Sequence, residues 1–375
     1  CVAASRSHSN GIVQPVYPST AFQYIDEGEQ FYPRYFNTPN QQVIVDKLCQ
    51  LEKAEDGIVF SSGMAALSST MMSLLNPGDH AILMEGLYGG THGYVLDEFQ
   101  RLGMEFTFVW GTADDISKAI RPNTKAILVE SPSNPRLRIL DLRAIAQIAR
   151  PKSIATVIDN TFASPINQNP IELGIDLVIH SGTKYLGGHS DLQCGAVLGN
   201  KHRIQAVKSK AKHYGGSVNA LTCYLLDRSL KTLSVRVERQ NANAARLASY
   251  LESSQHIQRV HYPGLESHAD HQIAARQMSG FGGMVAFELV EPARAKSFLQ
   301  NLRMITPALS LGGVESTICM PTFTSHRRVP KEDRVRMGIS DGLMRMSVGI
   351  EHADDLIADL QQSLFAVARQ PQTIG

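Results

Sequence analysis

The sequence predicts an α/β fold: a mostly parallel sheet covered by helices on both faces, with a smaller α+β domain after it. Two observations carry this prediction. Between about residues 55 and 200, short apolar runs alternate with segments of helix length. Beyond a long helix-like stretch ending at Leu251 the pattern restarts with new spacing. Strands buried on both faces read as continuous β-branched runs, and helical crossovers between them favour parallel pairing.

The first 50 residues are turn-rich, with Pro15, Pro18, Pro33 and Pro39, and read as an N-terminal arm, residues 1–50, rather than a domain. The large domain is expected over 51–235. Its strands are read at Gly57–Phe60, His80–Met84, Phe106–Trp110, Ala126–Val129, Ile154–Ile158 and Leu177–Ile179. Helices are expected at Gly63–Leu75, stopped by Asn76-Pro77-Gly78-Asp79, and at Leu142–Ala149, stopped by Arg150-Pro151. Leu221–Leu251 contains neither Pro nor Gly and reads as one long helix. The smaller domain, 236–375, restarts with strands at Ile257–Tyr262 and, after the glycines of 280–283, at Met284–Val290.

Composition narrows the function. The 375 residues are 43% hydrophobic and 19% charged, ordinary for a globular enzyme-sized chain. A net charge of +1 gives no global field for nucleic acid or an anionic membrane, so neither is expected as a partner. Five scattered cysteines, with no C-x-x-C pair, argue against a zinc cluster and a disulfide framework and for a reducing cytoplasm. No apolar run reaches the length of a membrane span, and Cys1–Arg6 does not read as a signal peptide. The missing initiator Met suggests that residues precede Cys1.

In open α/β sheets, ligands sit beyond the carboxyl ends of the strands. Those ends are polar here: Asp159-Asn160-Thr161, then His180-Ser181-Gly182-Thr183-Lys184-Tyr185, and Glu130-Ser131-Pro132-Ser133-Asn134-Pro135. Ser61-Ser62-Gly63-Met64 opens the first long helix, and Tyr88-Gly89-Gly90-Thr91 follows a strand. An Asp and a Lys on successive strand ends suit pyridoxal 5'-phosphate. That cofactor needs a lysine amine for its aldehyde and a carboxylate beside its ring nitrogen, whose cationic form the carboxylate stabilises. Its phosphate needs donors, which Ser181, Thr183 and the N–H groups of Gly63 and Met64 at a helix start would supply. Tyr88 can cover one face of the ring.

The segment Ser181-Gly182-Thr183-Lys184-Tyr185-Leu186-Gly187-Gly188-His189-Ser190-Asp191 resembles the cofactor-lysine signature of the Cys/Met-metabolism family of PLP-dependent trans-sulfuration enzymes. That family contains cystathionine γ-synthase, cystathionine γ-lyase, cystathionine β-lyase and methionine γ-lyase. The resemblance runs through nearly the whole chain, in order, from Pro15-Val16-Tyr17 to Arg345-Met346-Ser347-Val348-Gly349-Ile350-Glu351. It implies the PLP-dependent transferase fold type I, aspartate aminotransferase-like. It implies carbon–sulfur lyase or γ-replacement activity on cystathionine or a homoserine-derived amino acid. By the same resemblance Lys184 binds the cofactor and moves protons, Asp159 pairs the ring nitrogen, and Tyr88 stacks and assists. Asn134 approaches ring and substrate, Arg345 grips the substrate α-carboxylate, and Ser310 sits beside it. Tyr32 and Arg34 match a pair that reaches the phosphate of a neighbouring subunit, which implies a homodimer at least and a homotetramer commonly.

Three departures bear on the substrate. The loop Tyr32–Asn40 holds one residue more before Pro39 than the family pattern. Gly90 stands where methionine γ-lyases usually carry Cys, which counts against that activity. Leu309 stands where cystathionine γ-synthases and γ-lyases usually carry Glu, which removes a partner for a distal ammonium. Transamination, and a non-catalytic PLP-binding regulatory role, remain open as alternatives. His268 and His271 have ligand-like spacing but no third ligand in view, so a solvated surface is expected there and no metal. His189 and Asp191 are expected to be structural.

Overall fold

The computed structural model describes residues 11–25, 28, 30–325, 327 and 331–369; Cys1 and the start of the chain lie outside them. By internal contacts the chain divides into two compact units. One runs to Ser131 and resumes over Leu140–Ser234, and the other comprises Pro132–Ile139 with Val235 onward.

The first unit holds a seven-stranded sheet: β1 Asp56–Phe60, β2 His80–Met84, β3 Glu105–Val109, β4 Thr124–Glu130, β5 Ala155–Asp159, β6 Leu177–Ser181 and β7 Gly195–Gly199. The order is β1-β7-β6-β5-β4-β2-β3. The strands from β3 to β6 pair in parallel, whereas β7 is antiparallel to both β6 and β1. Ile82, Leu83, Ile127, Leu128, Val157, Ile158 and Val178 are all buried, as a sheet covered on both faces requires. Because β2, β4, β5 and β6 are parallel, their carboxyl ends share one edge, and the polar loops start there.

Local chemistry sets the helix starts. Ser62 accepts the Ala65 N–H at the head of helix Gly63–Leu74, and Asp141 accepts the Ala144 N–H at the head of Leu142–Ala149. Helix Pro39–Glu52 packs on β1 and buries Ile44, Val45 and Leu48, so the turn-rich opening ends at Thr38. The long helix expected over Leu221–Leu251 is two helices, Ala220–Leu230 and Leu233–Glu252. The break needs neither Pro nor Gly. The Thr232 N–H and hydroxyl both donate to the Ser229 carbonyl, at 3.2 Å each, closing a tight turn in place of the α-helical ladder.

The second unit holds a five-stranded sheet: β8 Ile257–His261, β9 Met284–Leu289, β10 Thr306–Pro307, β11 Thr317–Cys319 and β12 Leu343–Ser347, in the order β10-β11-β12-β9-β8. All pairs are antiparallel except β10 with β11. Ala244, Leu247, Ala248 and Leu251 form a helical stripe against Phe287, Phe298, Met344, Met346, Leu356 and Leu360. On β12 the two methionines enter this core, so Arg345 between them faces the other side of the sheet.

His268 corrects an expectation. It is buried rather than solvated, accepts the Asp270 N–H at 3.2 Å, and burial pulls its pKa down to about 4. The stretch brings its polar groups inward because Asp270 anchors the Asn134 loop. The Asp270 carboxylate takes two bonds from the Arg138 guanidinium, at 2.5 and 3.2 Å, and one from the Ile139 N–H at 3.0 Å. Among the described residues no cluster of three or more His, Cys, Asp or Glu side chains is placed to hold a metal, and no helix is long and apolar enough to cross a membrane.

Candidate active site

Two strand ends carry the first unit's site. Asp159 ends β5, in register with Ile179 of β6. Thr161 ties the two ends together: its N–H donates to Asp159 Oδ1 at 3.0 Å, and its hydroxyl accepts the Ser181 N–H at 2.8 Å. Lys184 then sits in a turn closed by its own N–H to the Ser181 carbonyl (3.1 Å) and by Gly188 N–H to the Lys184 carbonyl (2.7 Å). Gly182 is obligatory in that turn, since a methyl group there would lie 2.2 Å from Cys194 Sγ.

Burial pushes the Asp159 carboxyl above the usual carboxylate range; the Thr161 hydrogen bonds and the charges of His180 and Lys184 only partly pull it back. Asp159, half-buried at the end of β5, is therefore an acid short of positive charge. A protonated ring nitrogen beside it would supply that charge, so these residues fit pyridoxal phosphate.

A group of donors suited to a phosphate lies alongside. Gly63 and Met64 are the first two residues of a 12-residue helix, and their N–H groups have no partner inside it. Ser62 occupies the Ala65 N–H, which leaves those two to a ligand. The backbone here is drawn close. A methyl group on Gly63 would lie 3.0 Å from Ser181 Cβ, and one on Gly195 would lie 2.1 Å from the Ser62 carbonyl oxygen. The Ser181 hydroxyl makes no hydrogen bond among the described residues. The Thr183 hydroxyl differs, since it donates to the Cys194 carbonyl (3.3 Å) and accepts the Cys194 N–H (3.2 Å). Thr183 thus pins the loop, and must exchange a bond before it can donate to a phosphate.

Tyr88 precedes a short helix; its N–H donates to Glu130 Oε2 at 2.9 Å, and its ring is 48% exposed. The ring lies over Gly90, where a methyl group would come within 2.5 Å of Tyr88 Cε1. Tyr32 and Arg34 flank and enter a single 3-10 turn, Pro33–Tyr35, in the same unit. Arg34 donates to the Lys212 carbonyl at 2.7 Å and lies 5.8 Å from the Tyr32 ring centroid. The longer loop reverses at Phe36, which is left-handed (φ 60°) and packs on Phe60 at 5.2 Å.

The second unit offers an anion site of its own. Arg345 is 5% exposed; one terminal nitrogen donates to Asn134 Oδ1 at 2.9 Å and the other to the Ser310 carbonyl at 3.4 Å. Its Nε is buried without a partner. A buried guanidinium with an unused donor, and no carboxylate bonded to it among the described residues, suits a carboxylate ligand. Ser310 holds a left-handed backbone, φ 76°, that turns its carbonyl to Arg345. Next to it Leu309, 68% exposed, lines a cavity of about 630 Å³ with Pro307, Ile318, Cys319, Met320 and Phe323.

The sequence reading named no role for Thr161, Glu130, Glu52 or His180. Thr161 and Glu130 stood inside the quoted loops and differ from them only in what they bond. Glu52 and His180 meet from distant parts of the chain, and no spacing rule reaches that far.

Comparison with known proteins gives the family and the fold. Residues 2–365 match the model of the Cys/Met metabolism PLP-dependent enzyme family. Cystathionine gamma-lyase of Bacillus subtilis (strain 168) is 42% identical over 354 residues, covering 93% of each chain. Cystathionine beta-lyase of Lactococcus lactis subsp. cremoris is 40% identical over 366 residues, covering 96% of each. The crystal structure of cystathionine gamma-lyase from Lactobacillus plantarum, complexed with L-serine, superimposes with a TM-score of 0.92 at 36% identity, covering 97% of each chain. The two-unit α/β architecture is that of PLP-dependent fold type I. The chain belongs to the Cys/Met metabolism PLP-dependent enzyme family and is a pyridoxal-phosphate-dependent carbon–sulfur lyase of the trans-sulfuration type.

Proposed function

We propose that the chain cleaves a carbon–sulfur bond of cystathionine or a close relative, with Lys184 and Tyr88 as its catalytic residues. The observation that carries the site assignment is the pairing of β5 with β6, which sets the Asp159 carboxyl beside the Ser181–Lys184 turn with Thr161 bonded to both strand ends. When bound, pyridoxal phosphate accepts the electron pair left on the substrate when a proton is removed beside the carboxylate. Lys184 would hold it covalently, Asp159 would face its ring nitrogen, and Asn134 its ring hydroxyl. The N–H groups of Gly63 and Met64 and the hydroxyls of Ser181 and Thr183 would hold its phosphate.

Arg345 takes the substrate α-carboxylate through its free Nε and an adjacent terminal nitrogen, while Asn134 and Ser310 fix the plane of the guanidinium. Once the substrate amine has displaced it from its covalent link, the free Lys184 amine removes the α-proton and returns a proton further along the side chain. The Tyr88 hydroxyl gives a proton to the departing sulfur, which leaves as a thiol. The keto acid and ammonia follow by hydrolysis. In replacement the same residues act, but a thiol adds at the γ-carbon, the protons return to the β- and α-carbons, and the product leaves as an amino acid.

The apolar cavity at Leu309 favours a second reading of the substrate. It offers no carboxylate to the distal ammonium of cystathionine and suits a side chain with an uncharged end, as in methionine. The purified protein should therefore be incubated with cystathionine, methionine, cysteine and O-acyl-homoserines. Release of 2-oxobutanoate with a thiol identifies γ-elimination, and pyruvate identifies β-elimination. An amino-acid product without keto acid identifies replacement, and no turnover of any of them refutes the catalytic reading.

The working unit in this reading is a homodimer, with Tyr32 and Arg34 reaching the phosphate held by a neighbouring subunit, and pairs of dimers form a tetramer. The four described cysteines are free, which supports a cytoplasmic location.

A further inference from the structure

Behind Asp159 the first unit buries a second set of charges that the reaction above does not use. Glu52, the last residue of helix Pro39–Glu52, is fully buried. Its Oε1 accepts from His180 Nε2 at 2.5 Å and from Asn160 Nδ2 at 2.9 Å, while its Oε2 is buried with no partner. Asn160 is the residue after Asp159. It is held in turn by Gln168, whose Nε2 donates to Asn160 Oδ1 and to the Ser131 carbonyl, each at 2.9 Å. His180 is 1% exposed on β6, one residue before Ser181.

A carboxylate sealed from water is costly unless a cation lies against it. Lys47 is the buried cation of this helix, and it is bonded to Asp227. The group in contact with Glu52 that can carry a positive charge is His180. The charge on His180 also acts on Asp159, in the direction that keeps it ionised. Glu52 and His180 thus lie in hydrogen-bond contact between the helix end and the strand end that carries Asp159. Asn160, bonded to Glu52 and adjacent in sequence to Asp159, ties the carboxylate's backbone to the same pair.

We propose that Glu52 and His180 are positioning residues for the cofactor: their buried hydrogen-bonded pair, tied to Asn160, fixes Asp159 where it meets the ring nitrogen. This rests on the assignment of Asp159 to that nitrogen. Neither residue touches substrate or the reacting atoms; both act through Asp159, which separates them from residues that merely hold the fold.

The test is a double-mutant cycle read in cofactor affinity and in the visible absorbance of the bound cofactor. Glu52→Gln keeps the size and the acceptor for Asn160 but removes the charge. His180→Gln keeps a donor towards Glu52 and removes the cation, and it serves if the first variant folds poorly by far-UV circular dichroism. Each is made in the native background and in Asp159→Asn, and pyridoxal phosphate is titrated into the apoenzyme. Either variant should weaken cofactor binding roughly tenfold with Asp159 present, and less than twofold once Asp159 is Asn. An equal loss in both backgrounds, or no loss in the native one, overturns the proposal. If Asp159→Asn alone changes neither affinity nor absorbance, the Asp159 assignment itself fails, and the pair loses its role with it.

Discussion

Replacing Arg345 by Lys tests the substrate grip without removing the charge. In the structure the guanidinium spends one terminal nitrogen on Asn134 and the other on the Ser310 carbonyl, leaving Nε as an unused buried donor. A carboxylate arriving here gains two parallel charge-assisted bonds. A lysine ammonium is a point donor and reproduces only one of them. Losing one such bond costs about 2–3 kcal/mol, which is roughly a thirtyfold to hundred-and-fiftyfold drop in kcat/KM. The carboxylate is bound alike before and during reaction, so most of the loss should fall on KM. The assay is steady-state keto-acid release with the preferred substrate, repeated with its α-carboxamide. The native enzyme should discriminate strongly against the amide, and Arg345→Lys should discriminate much less. A folded variant whose kcat/KM stays within threefold of native would refute this reasoning.

Other positions make sharper statements about single contacts. Gly90→Ala should leave stability unchanged or slightly raised, because Ala is the better helix former by about 1 kcal/mol, while kcat falls as the new methyl group displaces the Tyr88 ring; thermal melts with kinetics check both halves. Leu309→Glu should raise cystathionine turnover relative to methionine, measured as a ratio of kcat/KM values, and an unchanged ratio would remove Leu309 from the specificity argument. His268 governs part of the acid stability. Its folded pKa of about 4 lies below the unfolded value of 6.5, so the unfolded chain takes up the proton first as pH falls. The stability held above pH 6.5 should decline by about 3 kcal/mol on the way down to pH 4. His268→Gln should flatten that slope in urea melts at a series of pH values, and parallel slopes would speak against it.

The legible parts of this chain were those where function is written locally. Asp159 and the Ser181–Lys184 loop could be found because each follows an apolar strand directly, and the parallel pairing of β5 and β6 carries both to one edge. Antiparallel β7 was missed: Gly195-Ala196-Val197-Leu198-Gly199 is short and bounded by glycines, which read as loop. Those glycines are there for close approach, Gly195 to Ser62 and Gly199 to the Asp176 carbonyl. The break after Leu230 was invisible because a threonine bonding backwards makes it, with no helix breaker present. The solvated reading of His268 failed because the buried Asp270 turns that stretch inward. The charges behind Asp159 depend on a helix end at Glu52 and a strand residue at His180 meeting in space, which one sequence does not announce.

The central claim is that one lysine, Lys184, carries the cofactor. Borohydride reduction of the holoenzyme fixes the lysine–cofactor link, and peptide mass spectrometry then locates it. The modification should fall on the peptide containing Lys184 and be lost, together with the yellow absorbance, in Lys184→Ala. A cofactor-modified peptide from any other lysine, with Lys184 unlabelled, would contradict the account.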